Sequence, residues 1–181
     1  MAWEDEELAP VRLRRVRSGD TDQFARWLAD PEVHRHFCGR NPAADAVPEP
    51  ARVYRPAGQM VRAIESGDGR LLGWIELRDV NWRRRSGELR MCLGEPAIWG
   101  RGYGTAALRL FLEQAFGEWR LDSIDLRVAT WNERAIRAYE RCGFRRLGRL
   151  RAGPRESDGL EDLWLMTARP GRASVPLRAA R

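Results

Sequence analysis

The sequence predicts a mixed α/β fold over residues 11–168, a single domain whose elements run β-α-α-β-β-β-α-β-α-β-β. Three observations carry that reading. Val11–Val16 and the set Ile124, Leu126, Val128 alternate as expected of half-buried strands. Leu108, Phe111, Leu112, Ala115, Phe116 and Trp119 recur at helical spacing within Ala106–Trp119. Just before that helix, Trp99-Gly100-Arg101-Gly102-Tyr103-Gly104-Thr105 has glycine at alternate positions, which lets the backbone approach a ligand closely.

In chain order, Val11–Val16 alternates enough for a first strand. Asp20 then caps a helical pattern with Phe24, Trp27 and Leu28 on one face, and Asp30-Pro31 starts a short second helix through Val33 and Phe37. Four prolines and little periodicity between Gly39 and Gly58 read as a long loop, a candidate substrate lid. Gln59–Glu65 and Leu71–Val80 flank the turn Ser66-Gly67-Asp68-Gly69 as a hairpin, with Ile64, Leu72, Trp74, Ile75 and Leu77 supplying its apolar faces. Asn81–Ser86 makes a polar turn into a third antiparallel strand, Gly87–Leu93. After the long helix and the strand around Leu126, Asn132 caps a short helix that Gly143 ends, and Phe144–Leu150 and Asp162–Ala168 close the fold as two strands.

With 181 residues, 43% of them apolar and eight Trp, the chain suits one core rather than two. Residues 1–10 and 169–181 read as flexible termini. The formal charge is +6, and all 32 basic residues are arginine. Without lysine neither a Walker-type phosphate loop nor a pyridoxal Schiff base can be built. An arginine-rich surface suits an anionic partner, but 26 acidic residues are interspersed and no patch nominates nucleic acid. Arg83-Arg84-Arg85, at a hairpin turn, reads as a solvated turn. Cys38, Cys92 and Cys142 are widely spaced, so neither a disulfide framework nor a zinc site is indicated and a reducing compartment is expected. An acidic N-terminal segment and the lack of an apolar run near ~20 residues point to a cytoplasmic protein without membrane association.

The glycine loop running into a helix describes an anion site, because the helix aims unpaired N–H groups and the positive end of its dipole at the loop. Backbone N–H groups of residues 100–105 can hold a pyrophosphate without a metal. A Rossmann fingerprint is the rival motif, but Gly100 and Gly102 would then require glycine at 105, where Thr105 stands. His34 and His36 have no third ligand nearby in sequence and read as structure or substrate lining, not as a metal pair.

The loop resembles the pyrophosphate-binding motif of the GNAT superfamily of N-acetyltransferases, Q/R-x-x-G-x-G/A, with Gly102 and Gly104 at its small positions. Trp99 departs from the Gln or Arg, as is typical of the branch similar to ribosomal-protein N-terminal acetyltransferases, the RimJ/RimL-like group, which often reads W-G-K-G-Y-G-T there. Asn132–Phe144, N-E-R-A-I-R-A-Y-E-R-C-G-F, resembles that branch's second signature, and Gly159–Met166 resembles its last strand. The resemblance implies a GNAT-like acyl-CoA N-acyltransferase fold: a splayed mixed central sheet flanked by helices. It implies acetyl-CoA as co-substrate, inserted between the strand ending at Leu93 and the strand over 122–129. Met91 and Leu93 would border the pantetheine arm, on a strand that carries a bulge in the family. Trp99, Gly100, Arg101, Gly102, Tyr103, Gly104 and Thr105 would form the pyrophosphate loop, with Asn132, Arg134 and Tyr139 facing it from the second signature.

Acetyl transfer to an amine needs a neutral nucleophile, a stabilised oxyanion and a proton for the departing thiolate. By resemblance Tyr139 meets the sulfur, where a phenol with a pKa near ~10 can supply that proton; read from the helix alone, it packs beside Ala135 and Ile136. The oxyanion donor is expected to be a backbone N–H of Met91–Leu93. For the general base the residues leave alternatives open: Glu88 and Glu76, with Asp79 behind them, could each serve as base, bind a cationic substrate or face solvent. Cys92 and Cys142 lack a base placed by sequence, which favours direct transfer in a ternary complex over an acyl-enzyme. The expected acceptor is a primary amine, either a protein N-terminus or a small molecule such as a polyamine or aminoglycoside. A non-catalytic acyl-CoA sensor is the alternative from another class. Whether the chain works as a monomer or a homodimer is left open.

Overall fold

The computed structural model describes residues 9–38, 60–151 and 161–171. Strand β1 covers Val11–Arg14, helices α1 and α2 Asp20–Ala29 and Pro31–Cys38, and strands β2, β3 and β4 Met60–Ser66, Leu71–Asn81 and Ser86–Leu93. A single 3-10 turn at Pro96–Ile98 leads to α3, Tyr103–Gly117. Then come β5, Ser123–Ala129; α4, Glu133–Arg141; β6, Arg145–Leu150; and β7, Leu163–Ala168. This is the order expected from periodicity. The predicted lid over 39–58 and most of both termini lie outside the described residues.

The seven strands form one sheet in the order β1-β2-β3-β4-β5-β7-β6. Every pairing is antiparallel except that of β4 with β5. That parallel pair is short: Ser86, Gly87 and Glu88 face Ser123, Ile124 and Asp125, and the ladder then stops. Beyond it the two strands diverge, which leaves the β5-facing edge of Leu89–Leu93 without a strand partner. The bulge expected at Met91–Leu93 is not there. Leu93, Cys92 and Met91 pair in unbroken register with Gly73, Trp74 and Ile75, and the irregularity falls between Arg78 and Asn81 near the hairpin tip. The splay, rather than a bulge, frees the backbone of β4.

Period-two alternation sends side chains to two cores. Leu72, Ile75, Leu77, Leu89, Ile124, Leu126 and Val128 pack against Leu108, Phe111, Leu112 and Ala115 of α3 and Ile136 of α4. On the other face Val61, Trp74 and Cys92 meet Phe24, Trp27 and Leu28 of α1 and Val33 of α2. Gly94, just past β4, sets the approach of α1: a Cβ there would stand 1.8 Å from the Trp27 indole.

Two helix starts differ from expectation for local reasons. Asp20 is the first helical residue of α1, not its cap, and its carboxylate accepts the Arg17 N–H at 2.7 Å and the Arg14 guanidinium at 2.7 and 3.0 Å. Helix α3 starts at Tyr103, three residues earlier than the apolar pattern suggests, because Gly102 takes the N-cap position in left-handed conformation at φ 82°. Asp30 does cap α2, accepting the N–H groups of Glu32 and Val33 at 2.8 and 3.1 Å.

Glu65 is buried in β2 and takes guanidinium hydrogen bonds from both Arg12 and Arg14 of β1, so Arg14 bridges it to Asp20. These bonds, Arg14 first and Arg12 next, hold the Glu65 carboxyl below the ordinary carboxylate range. Burial would raise Asp20, but hydrogen bonds from Arg14 and Arg17 outweigh it and its pKa is lowered too. Both groups are depressed in the folded state, so their stabilisation is present above the unfolded carboxylate pKa and is lost as pH falls through the folded values. Glu65→Gln removes one charge from a buried cluster and is expected to cost about 3 kcal/mol. Denaturant unfolding at neutral pH measures this, and the deficit against wild type should shrink in acid.

Candidate active site

Where β4 and β5 part, the loop and helix ends around them enclose a cleft of about 320 Å³. Its floor is Met91, Cys92 and Leu93 of β4. One wall is the loop Trp99–Gly102 with Gly104 and Thr105 in the first turn of α3; the other is α4 from Asn132 to Arg141. Val33, His36 and Phe37 of α2 close the end.

The first α3 hydrogen bond runs from Ala106 N–H to Gly102 O at 2.9 Å, so the N–H groups of Tyr103, Gly104 and Thr105 precede it and have no carbonyl within the helix. They sit at the positive end of a 15-residue helix dipole. Left-handed φ of 74° at Gly100 and 82° at Gly102 gives the loop its path. A Cβ on Gly104 would stand 3.4 Å from Met91 Cε and 3.5 Å from Leu93 Cδ1, so a bulky side chain there must enter the floor of the cleft.

Helix α4 contributes cations and a phenol. Asn132 caps it, its side-chain oxygen accepting the Ala135 N–H at 3.2 Å. Gly143 ends it in left-handed conformation at φ 89°, with Phe144 N–H returning to Tyr139 O at 3.0 Å. Arg134, Arg137 and Arg141 lie at i, i+3 and i+7 and all reach the cleft. Arg134 stacks on the Trp99 ring, 4.0 Å from its centroid, while the Trp99 Nε1–H donates to Leu93 O at 3.0 Å. Trp99 is therefore a strut between β4 and the glycine loop, and the His36 ring packs against it at 4.7 Å. The described lining holds three arginines and a histidine but no carboxylate, as an anionic ligand requires.

Tyr139 is buried and lines the cleft, edge-on to Phe144 at 5.7 Å. Among the described residues its hydroxyl has no hydrogen-bond partner. Burial pushes the phenol up to about 12, opposed in part by the positive charge of Arg90 on β4. The group thus holds its proton well beyond the ~10 expected of a solvated phenol.

The structure brings Met91, Leu93, Trp99, Gly100, Gly102, Gly104, Thr105, Asn132, Arg134 and Tyr139 together around one space. Arg101 and Tyr103 do not line it: Arg101 is exposed, and Tyr103 turns onto the core of the adjacent sheet face. The two candidate bases also stand outside. Glu88 is held by Arg127 through two hydrogen bonds of 2.9 and 2.7 Å, and Glu76 is buried opposite Arg90 in the β3–β4 register. Asp79 is exposed at φ 49° in the hairpin. Phe37, Arg137 and Arg141 are lining residues that sequence reasoning did not place in the site, while His36, read as structure or substrate lining, and Cys92, on the strand expected to supply the oxyanion donor, do line it. For the two arginines a signal existed, since they repeat the helical position of Arg134.

With this geometry the comparisons with known proteins agree. A family model described as an acetyltransferase (GNAT) domain matches residues 11–145, and the chain belongs to that family. Spermidine N(1)-acetyltransferase of Vibrio cholerae serotype O1 is 32% identical over 87 residues, 48% of this chain and 50% of that protein. Mycothiol acetyltransferase of Propionibacterium freudenreichii is 33% identical over 135 residues, 74% of this chain and 43% of that protein. The match thus spans about half the length of these curated relatives or less. The crystal structure of spermidine N-acetyltransferase from Vibrio cholerae in complex with CoA and spermine superposes with a TM-score of 0.76 at 22% identity, covering 90% of this chain and 97% of that one, which shows the same fold. No helix among the described residues is long and apolar enough to cross a membrane.

Titration provides a check on the site. Tyr139 should ionise near pH 12, above an exposed tyrosine, because burial disfavours the phenolate. In a phenolate absorbance titration, Tyr139→Phe is expected to remove the component of highest pH and leave the earlier ones in place. Loss of an earlier component instead would mean that the phenol is solvated.

Proposed function

We propose that this protein is an N-acetyltransferase that moves the acetyl group of acetyl-CoA to a primary amine by direct attack in a ternary complex. The observation that carries the reading is the meeting, in one cleft, of the α3 N-terminus, three arginines of α4 and a buried phenol whose hydroxyl has no hydrogen-bond partner among the described residues. Helix N–H groups and guanidiniums suit the phosphates of a coenzyme A, and the unpaired edge of β4 suits the amides of its pantetheine arm. Acetyl-CoA would supply an activated acyl group whose thiolate leaves readily.

The chain's own groups account for the remaining steps. A backbone N–H of Met91–Leu93 on the free edge of β4 donates to the oxygen that gains charge as the carbon–nitrogen bond forms. Tyr139, protonated throughout the neutral range, donates to the sulfur as the carbon–sulfur bond breaks, and solvent restores its proton. The amine's proton leaves through water. Glu88 and Glu76, committed to or facing arginines, act on the field of the site and not as the base. Cys92 and Cys142 are buried and not disulfide-bonded, which supports a reducing, cytoplasmic setting.

The acceptor is a protein N-terminal amine or a small-molecule amine. Resemblance of the two motifs to the ribosomal-protein branch supports the first, and the spermidine and mycothiol acetyltransferase relatives support the second. Release of free thiol from acetyl-CoA, measured against N-terminal peptides, polyamines, aminoglycosides and amino acids, is expected with one of these classes. Silence across the panel with the coenzyme still bound would turn the reading to an acyl-CoA sensor.

Two substitutions separate the roles. Tyr139→Phe should lower kcat tenfold or more, with little change in coenzyme affinity. Gly104→Trp fills the floor of the cleft and should abolish coenzyme binding in calorimetry with the fold intact. Gly102 is the poorer test site, since any side chain at φ 82° also strains the helix cap.

A further inference from the structure

The β3–β4 hairpin tip, Asn81-Trp82-Arg83-Arg84-Arg85, takes no part in the chemistry above. Ser86 opens β4 and Met91–Leu93 close it, so the tip stands roughly 17 Å or more from the cleft floor by strand rise. Trp82 is 58% exposed, whereas the other described tryptophans are buried or half-buried. Arg83 and Arg84 are also exposed, and among the described residues neither guanidinium has a carboxylate partner.

The tip is fastened, not loose. Asn81 Oδ1 accepts the Arg84 N–H at 2.9 Å, and Arg85 O accepts from Asp122 N–H at 2.7 Å and Ser123 N–H at 3.3 Å. The Arg85 guanidinium meets the Asp122 carboxylate at 2.7 Å. The described non-glycine residues with positive φ are Asp79 at 49°, Arg85 at 48° and Arg120 at 56°, and all belong to this hairpin or to the turn entering β5. Left-handed backbone is unfavourable for residues with a Cβ, so its concentration at one end of the sheet marks a conformation that the fold holds against local preference.

We propose that this tip binds single-stranded nucleic acid, with the Trp82 indole stacked on a base and Arg83 and Arg84 on the neighbouring phosphates. Successive Cα atoms ~3.8 Å apart place one aromatic face and two guanidiniums within the span of a nucleotide, and a nucleotide repeats the same pairing of planar ring and anion. An acidic peptide offers the charge without the ring. A lipid surface needs more apolar area than one indole: the other large exposed apolar side chains among the described residues, Leu147 and Leu150, stand on β6 at an edge of the sheet.

The test is fluorescence anisotropy of a labelled 12-nucleotide oligouridylate titrated with the full chain at several salt concentrations. Binding is expected, weakening as salt rises. Trp82→Ala should weaken it about tenfold. The double variant Arg83→Gln/Arg84→Gln should lower the slope of log affinity against log salt by about 1.4, and Arg83→Lys/Arg84→Lys should retain it. These positions are exposed, and unchanged thermal melting would verify that each variant folds. No binding by wild type, binding indifferent to both the tryptophan and the arginine variants, or stronger binding to anionic phospholipid vesicles than to the oligonucleotide would each overturn the proposal.

Discussion

The parting of β4 from β5 is the constraint around which the other features of the site are arranged. Had the parallel ladder continued past Glu88 and Asp125, the edge of β4 would be consumed by β5 and the α3 N-terminus would face a closed sheet. A three-residue pairing is enough to join the two halves of the sheet at one end, because α3 crosses between them and packs Leu108, Phe111 and Leu112 into a core shared by both. The other end then stays open without loss of connection, and the helix dipole, the α4 arginines and Tyr139 converge on the gap.

That arrangement also explains why acid groups are scarce where chemistry would be expected. Glu88 sits at the last paired position of β4, within reach of Arg127 on β5, and the ion pair spans the junction just before the strands separate. Glu76 lies one strand further in, facing Arg90. The positive field that Arg134, Arg137 and Arg141 leave in the cleft favours phosphates. A different cation, Arg90 on β4, pulls Tyr139 back from the still higher pKa that burial alone would give it.

Much of this was legible in the sequence, and the exceptions share a cause. Alternation locates β5 and helical spacing the long helix because each buries one face, and Asn132 and Gly143 mark both ends of α4 through capping chemistry that is local. The start of α3 was missed because Tyr103 and Gly104 break the apolar pattern while Gly102 supplies the turn. That Glu88 and Glu76 fall outside the cleft lining, and that no bulge lies at Met91–Leu93, escaped the sequence for a different reason. Glu88–Arg127 and Glu76 opposite Arg90 are contacts between strands, set by register, and nothing in the order of residues along one strand reports them. His36 and Phe37 enter the cleft only because α2 is swung onto the sheet by Val33 and by Trp27 lying against Gly94.

The cations that line the cleft are Arg134, Arg137 and Arg141, and the chain has no lysine at all. A guanidinium stays protonated at any pH a folded protein meets, so it has no lone pair to offer an activated acyl group. A lysine ammonium at the same position would be desolvated and partly neutral, a nucleophile held next to the thioester. Cations that are all arginine therefore give the cleft a charge suited to phosphates without adding an amine that an activated acyl group could modify.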